Sequence, residues 1–418
     1  MLALTTVTFL VGWAQKLPCS LNGYGSGNAY AYTRLCYSDI YIAWTSERLD
    51  EGKRPYLDHP VEYPVLLGGL MAIAAVGADN ADEFFDHTAA LLLPAALIVT
   101  GTTALLLGPS RRRDALLVAL APGMILHGTV SWDLAAAAMA GLALLAWSRR
   151  RPALAGIALG VGAAVKLYPI LFLLPLLILC LRRNEVRRWI ESFVAAVGTW
   201  VFCNGVAAAF AGSFVIVDNE GPRNAVLRFF VLNRDRPADW DSVWFVVQSV
   251  MRGLSDNPGW AIPVPVVNLG SAVLLLAGMT AMAALLWRSR VPATLGQAAL
   301  LATGIFVLTS KVFSPQFCIW LIPLAVLAGV RWKPFFMWQA AEVALVYVRF
   351  SYFHHLQDPG AGLPLRFFVA AVVVRDVALL SLLYGVIRDI RRPPGDDPRP
   401  SLASGPATSR LIPTTSAA

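Results

Sequence analysis

Charge is scarce in this sequence. Asp, Glu, Lys and Arg together supply 14% of the 418 residues, whereas 57% are hydrophobic. A soluble domain of this length carries close to twice that charged share, so a water-soluble globular chain is excluded. Signatures for phosphate, dinucleotide and acyl chemistry are also missing: there is no Walker A loop, no dinucleotide fingerprint and no Ser–His–Asp nucleophile elbow. Histidine is rare, with five in the chain, and its spacing forms no zinc-ligand set, so no metal is expected. No tandem repeat of roughly 20 to 50 residues is visible.

What is present is a succession of apolar runs. Residues 88–107, 190–211, 263–287 and 367–387 approach or exceed the roughly 18 to 20 residues that a helix needs to cross a bilayer. One such run is compatible with a signal peptide, whereas about a dozen spread over the chain are not. The fold expected is all-α, a polytopic transmembrane helix bundle.

A net charge of +8 would suggest nucleic acid in a soluble protein. Here the basic residues lie in short clusters between apolar runs, at 111–113, 149–151, 182–188, Arg288 with Arg290, Arg331 with Lys333, and 388–392. Short loops rich in Lys and Arg stay in the cytoplasm, so these clusters set orientation and no nucleic-acid partner is expected. Holding all six inside forces the chain out and back between neighbours. The breaks that then face outward carry His127, Asp133, Lys166, Arg234, Arg236, Asp239, Asp241, Lys311, Gln316, Arg349, His354 and His355.

The N-terminal part fits less well. A first span over 1–17, an outer loop over 19–62 and a return over 63–78 would place 79–86 inside, yet the span at 88–107 must begin outside. A shallow hairpin at Gly68-Gly69 or an unusual orientation of the first span repairs the parity, giving about 11 to 13 spans. The first span opens at Met1 without a basic leader, which is compatible with a start upstream of Met1. Residues 1–390 are expected to form one transmembrane domain. Residues 391–418, rich in Pro, Ser, Thr and Ala, are expected to be a disordered cytoplasmic tail.

Within the long first loop, residues 38–49 (SDIYIAWTSERL) set Ile40, Ala43, Trp44 and Leu49 on one helical stripe, as in a helix lying along the membrane interface. Trp13, Trp132, Trp240, Trp244 and Trp320 fall near expected span ends, where an aromatic belt explains them. Cys19 and Cys36 share the loop and form a disulfide if it faces an oxidising compartment. Cys180, Cys203 and Cys318 read as packing residues.

An ionisable group at membrane depth is costly unless paired or wetted, so each is either a functional candidate or half of a helix-pinning ion pair. Convergence on one face favours function. Asp39 follows a Tyr-rich stretch (Tyr24, Tyr30, Tyr32, Tyr37) and opens the amphipathic segment. It is a candidate general base toward a hydroxyl, while Ser38 or Asp39 could instead cap the helix. Asp58 and Glu62 rival it for the base. Lys166, Arg236, Lys311 and Arg349 suit a lipid phosphate or pyrophosphate. His127, Gln316, His354 and His355 are further candidate substrate-binding groups. Asp239-Trp240-Asp241 matches the loose metal-binding Asp-x-Asp pattern of nucleotide-sugar enzymes, a short motif of little specificity.

The ordered set of segments CYSDIYIAWTSERLDEGKRPY (36–56), VEYPVLLGG (61–69), SWDLAAAAMA (131–140), GVGAAVKLYPILFLLPLL (160–177), NRDRPADWDSVW (233–244) and SKVFSPQFCIWLIPL (310–324) resembles actinobacterial membrane glycosyltransferases of family 87. The likeness covers about residues 18 to 330. That family includes polyprenol-phosphate-mannose-dependent α-mannosyltransferases of GT-C fold. The resemblance implies a hexosyltransferase in the plasma membrane, with its active site outside the cytoplasm. It would invert the sugar, expected to be mannose, as it passes from a polyprenyl-phosphate donor to a glycolipid or glycan acceptor of the cell envelope, with no cofactor. Asp39 matches the expected base. Lys166, Arg236 and Lys311 would hold the departing polyprenyl phosphate, and Asp133 with His127 would line the sugar or acceptor pocket. The alternatives are a transporter or flippase for a lipid-linked or small polar substrate, and a non-catalytic scaffold of envelope assembly. The absence of a repeat and the one-sided polar breaks favour the enzyme.

Overall fold

The computed structural model describes residues 1–21, 28–211, 216–218, 221–223, 227–255, 257 and 259–392. Tyr24 and the expected tail from 393 onward lie outside these residues. The chain is an all-α membrane protein, apart from a small antiparallel hairpin of Ile216–Asp218 with Gly221–Arg223.

The first helix, α1 (Leu2–Ala14), leads through α2 (Leu17–Leu21), α3 (Asn28–Thr33) and α4 (Asp39–Ser46) to α5 (Val65–Ala75) and α6 (Ala81–Arg111). Helices α1 and α6 run antiparallel. Thr5 Oγ1 donates to Thr100 Oγ1 at 3.0 Å toward one end, and Trp13 Nε1 donates to Asp86 Oδ1 at 2.7 Å toward the other. The parity problem is settled by α5, which has 11 residues. At 1.5 Å per residue it is about 16 Å long, roughly half a hydrocarbon core. Too short to cross, it ends beside the first turns of α6, where His87 Nδ1 contacts Ala74 O at 2.9 Å, so α6 starts on the side where α1 ends.

The next elements are α7 (Leu116–Ala119), α8 (Pro122–His127), α9 (Asp133–Ser148), α10 (Pro152–Val165), α11 (Leu173–Arg183) and α12 (Val186–Phe210). They are followed by α13 (Arg228–Asp235), α14 (Val243–Leu254), α15 (Val264–Arg288), α16 (Leu295–Thr309), α17 (Cys318–Ala328), α18 (Trp332–Gln357) and α19 (Leu365–Arg391). Among the described residues, four stretches are long and apolar enough to cross a membrane: Ala81–Ala119, Val186–Phe210, Val264–Arg288 and Leu365–Arg391. This is fewer than the spans expected from charge. Other apolar runs are cut into helices of 10–17 residues. Pro169 and Pro315, which lack an amide proton, sit at two of the interruptions.

The basic clusters meet at one end of the bundle. Arg182 Nη1 donates to Leu286 O and Ser289 Oγ, both at 2.6 Å. Arg111 Nη2 donates to Val326 O at 3.2 Å, and the Arg188 guanidinium lies 4.8 Å from the Trp147 ring centroid. The polar breaks meet at the other end. Helices α9 and α10 form a hairpin turned at 149–151, and both of its free ends, Asp133 and Lys166, lie at that polar end.

Helices α10 and α12 approach along a seam of small residues, as membrane helices do when backbones must come close. A Cβ at Gly156 would lie 2.1 Å from Ser192 O, and one at Gly160 would lie 2.5 Å from Ala196 O. Gly160→Leu is therefore expected to cost about 3 kcal/mol. The measurement is the unfolding midpoint of the detergent-purified protein; an unchanged midpoint would show that the seam tolerates bulk.

Helix α4 departs from its expected setting. Ile40, Tyr41, Ala43 and Trp44 are buried, with Tyr41 stacked on Phe85 at 4.4 Å and Trp44 packed on Phe84 at 5.5 Å. The apolar stripe faces α6, not headgroups, because a helix of eight residues buries more area against protein than it could at a lipid surface. Trp132 and Trp320 are likewise buried within the protein and do not form a belt.

Candidate functional site

A cavity of about 770 Å³ opens at the polar end. Asp39, Glu62, His127, Lys166, Arg236, Lys311, Gln316 and Arg349 all line it, drawn from breaks that are distant in sequence. Desolvation drives this gathering: at membrane depth these groups are affordable only beside one another or beside water.

Asp39 is held from two sides. Its backbone N–H donates to Val130 O at 2.9 Å, which ties the first loop to the break between α8 and α9. Ser38 is the helix cap: its Oγ accepts from the Ile40 amide at 3.2 Å and donates to Thr129 O at 2.8 Å. With Ser38 capping, the Asp39 carboxylate is free for the cavity. It accepts from Gln316 Nε2 at 3.2 Å and from the Tyr37 hydroxyl. Burial pushes its carboxyl above the ordinary aspartate value. Lys166, the Tyr37 hydrogen bond and Arg349 pull it back, while Asp133 pushes it up again. An aspartate so placed is a stronger base than one in water.

The two rivals of Asp39 sit in different settings. Asp58 is ion-paired with Arg54 at 2.7 Å, and that contact holds its carboxyl down at about 2, too weak a base for the task. Glu62 lines the cavity but pairs with Arg236. Cys19 and Cys36 are joined by a disulfide, with Cα atoms 5.7 Å apart, three positions before the aspartate.

Each cation has a distinct partner. Lys166 Nζ reaches Asp133 Oδ2 at 2.9 Å and Ser131 Oγ at 3.3 Å, with Asp133 fully buried beneath the cavity wall. Arg349 Nε lies 3.3 Å from Asp241 Oδ2. Burial raises Asp241 to about 6 against the opposing pull of Arg349 and Arg375. Lys311 Nζ donates to Arg236 O at 2.7 Å, Arg234 O at 3.1 Å and Asn268 Oδ1 at 2.5 Å. Burial lowers its ammonium below the ordinary lysine value, with Arg236 adding to the effect.

Not every expected residue comes to the site. Asp133, expected to line the pocket, is fully buried behind it, and His354 and His355 also lie outside the cavity wall, with His355 Nδ1 in contact with Ala361 O at 2.9 Å. Helix α18 continues through both histidines and presents Val346, Arg349, Phe350 and Phe353 to the cavity. At 3.6 residues per turn the histidines fall about 100° and 200° beyond Phe353. Among the described residues, no three His, Cys, Asp or Glu side chains converge as a metal set, and Asp241 of the Asp-x-Asp motif is committed to Arg349.

Reading by charge missed an aromatic wall. Tyr168 stacks on Trp320 at 4.2 Å and Phe317 stacks on Trp320 at 3.9 Å, with Tyr63 and Phe317 each 5.9 Å from the Lys166 ammonium. The Tyr168-Pro169 break and the aromatic pair Phe317 and Trp320 were the available signal. Such a wall offers flat apolar faces to a sugar ring or an isoprenoid chain.

The sequence model described as glycosyltransferase family 87 matches residues 63–315, more than half of the chain. The match begins after Asp39 and ends one residue before Gln316, so the pair that holds the carboxylate lies outside it. No curated protein matches the chain.

Proposed function

The chain belongs to glycosyltransferase family 87, and from that premise we propose the donor, base and face on which this membrane glycosyltransferase works. The donor is a polyprenyl-phosphate sugar, with mannose the sugar of choice, and the acceptor is a glycolipid or glycan of the cell envelope. The protein sits in the plasma membrane with its cavity open to the outside. One observation supports this reading above others: a single cavity carries a raised-pKa carboxylate, four cations and an aromatic wall.

In this reading Asp39 removes the proton from the acceptor hydroxyl as its oxygen attacks the sugar C1. The C1–O bond to phosphate breaks, its electron pair leaves with the polyprenyl phosphate, and the anomeric centre inverts. Lys311 and Arg236 meet the developing charge on the leaving phosphate, a task for preorganised cations. Gln316 and Tyr37 fix the direction of the carboxylate. Lys166 is the largest opposing charge on Asp39 and keeps the base from being wholly protonated. A transporter reading has less support, because no internal repeat is visible in the sequence and the polar breaks gather on one side.

The test supplies membranes bearing the protein with radiolabelled polyprenyl-phosphate mannose and a lipid extract as acceptor. Transfer to the extract is expected. Transfer from a nucleotide sugar but not from the lipid donor would overturn the donor assignment. In parallel, single cysteines at positions 39, 166 and 311 are expected to label from the non-cytoplasmic side. Labelling from the cytoplasm alone would overturn the orientation.

A further inference from the structure

The four cavity cations are not equally occupied. Lys166 carries Asp133, Arg349 carries Asp241 and Arg236 carries Glu62. Lys311, among the described residues, is in contact only with neutral oxygens. The three ion pairs also differ in depth. The side chains of Lys166 and Asp133 are 13% and 0% exposed and those of Arg349 and Asp241 are 17% and 2% exposed, against 37% and 40% for Arg236 and Glu62.

A deeply buried pair resists separation, because each charge left behind loses its only compensation. A half-exposed pair is weak and can exchange partners at little cost. The exchangeable pair is also the one beside the ammonium that touches no carboxylate among the described residues, though Asp235 lies within electrostatic reach, since Lys311 Nζ donates to the carbonyl of Arg236 itself. An anion arriving at Lys311 therefore meets a guanidinium that is already held by a carboxylate from the end of the first loop.

We propose that Glu62 is a resident stand-in for the phosphate of the substrate: it holds Arg236 in the empty site, yields it to the phosphate on binding, and takes it back to help expel the product. This rests on the phosphate-donor reading above. The charges account for the direction. The donor phosphate is a diester with one negative charge, whereas the released monoester carries between one and two at neutral pH. Without a competing carboxylate the product would bind the Lys311–Arg236 pair more tightly than the donor does. Glu62 is thus a specificity and release residue, acting through Arg236 and not through the sugar.

The experiment uses the full chain in nanodiscs, with farnesyl phosphate as probe and farnesol as its uncharged control, read by intrinsic tryptophan fluorescence. Glu62→Gln is expected to bind farnesyl phosphate about two- to fivefold more tightly than wild type, the range an exposed ion pair can supply. It should leave farnesol unchanged and make turnover more sensitive to inhibition by the prenyl phosphate. Arg236→Gln should weaken binding, and adding Glu62→Gln to it should produce no recovery. Unchanged or weaker binding by Glu62→Gln, while Lys311→Gln still weakens the wild-type affinity, would overturn the stand-in role and leave the donor reading intact. Equal binding of farnesyl phosphate and farnesol by wild type would overturn both.

Discussion

Asp39→Asn is expected to lower sugar transfer by about a hundred- to ten-thousand-fold, the range that a positioned general base contributes. The amide has nearly the same volume as the carboxylate, and the backbone bond to Val130 and the Ser38 cap do not involve the side chain. The variant should therefore fold, bind donor and fail at proton removal. A variant that transfers as fast as wild type would remove Asp39 from the mechanism. The pH profile supplies a second check. A base works only when deprotonated, so kcat/KM falls as pH drops through its pKa in the folded protein. Burial raises that pKa, so the acid limb should lie above the roughly 4 of an ordinary aspartate. Tyr37→Phe deletes a hydrogen bond that lowers the value and should move the limb to higher pH. A limb that stays in place would mean that another group titrates.

The second large effect is on stability. Asp133→Ala strips Lys166 of its ion-pair partner at the open end of the α9–α10 hairpin, leaving it to face Asp39 across the cavity. Stranding one member of a buried pair typically costs about 3–5 kcal/mol. Replacing both, as in Asp133→Leu with Lys166→Met, should restore most of the unfolding midpoint, because a well-packed apolar pair is about as stable as a buried ionic one. The double variant should still be a poor transferase, since it lacks the cation that faces Asp39. Equal midpoints for wild type and the single variant would show that the pair is not structural.

The polar end of the bundle was legible in the sequence for a physical reason. Hydrocarbon tolerates so little charge that Lys166, Lys311 and Arg349 could only lie where the chain leaves it, and the basic clusters fixed which exits share a side. The sequence left the cap open between Ser38 and Asp39; the structure gives it to Ser38 and sets the Asp39 carboxylate in the cavity wall. What escaped depends on where helices stop. The run over 63–78 has the composition of a full span, yet α5 occupies only Val65–Ala75, and hydropathy does not register that loss of length. Conversely, α18 runs on to Gln357, so His354 and His355 ride a helix face where a loop was expected. The Glu62–Arg236 pair joins positions 174 residues apart, and nothing local marks it. Trp320 and Trp132 sit at span ends as belt residues do, and only packing reveals that they face inward.

The hydrogen bond from Gln316 to Asp39 bridges 277 positions of sequence, and Arg349 arrives later still. A growing chain leaves the ribosome from its N-terminus, so Asp39 emerges early and its partners Gln316 and Arg349 emerge late in translation. A half-made protein thus holds an aspartate without its alignment and a hydrophobic hairpin without its neighbours. If Asp39 is the base, as proposed, a chain that stops before Gln316 is expected to show no sugar transfer.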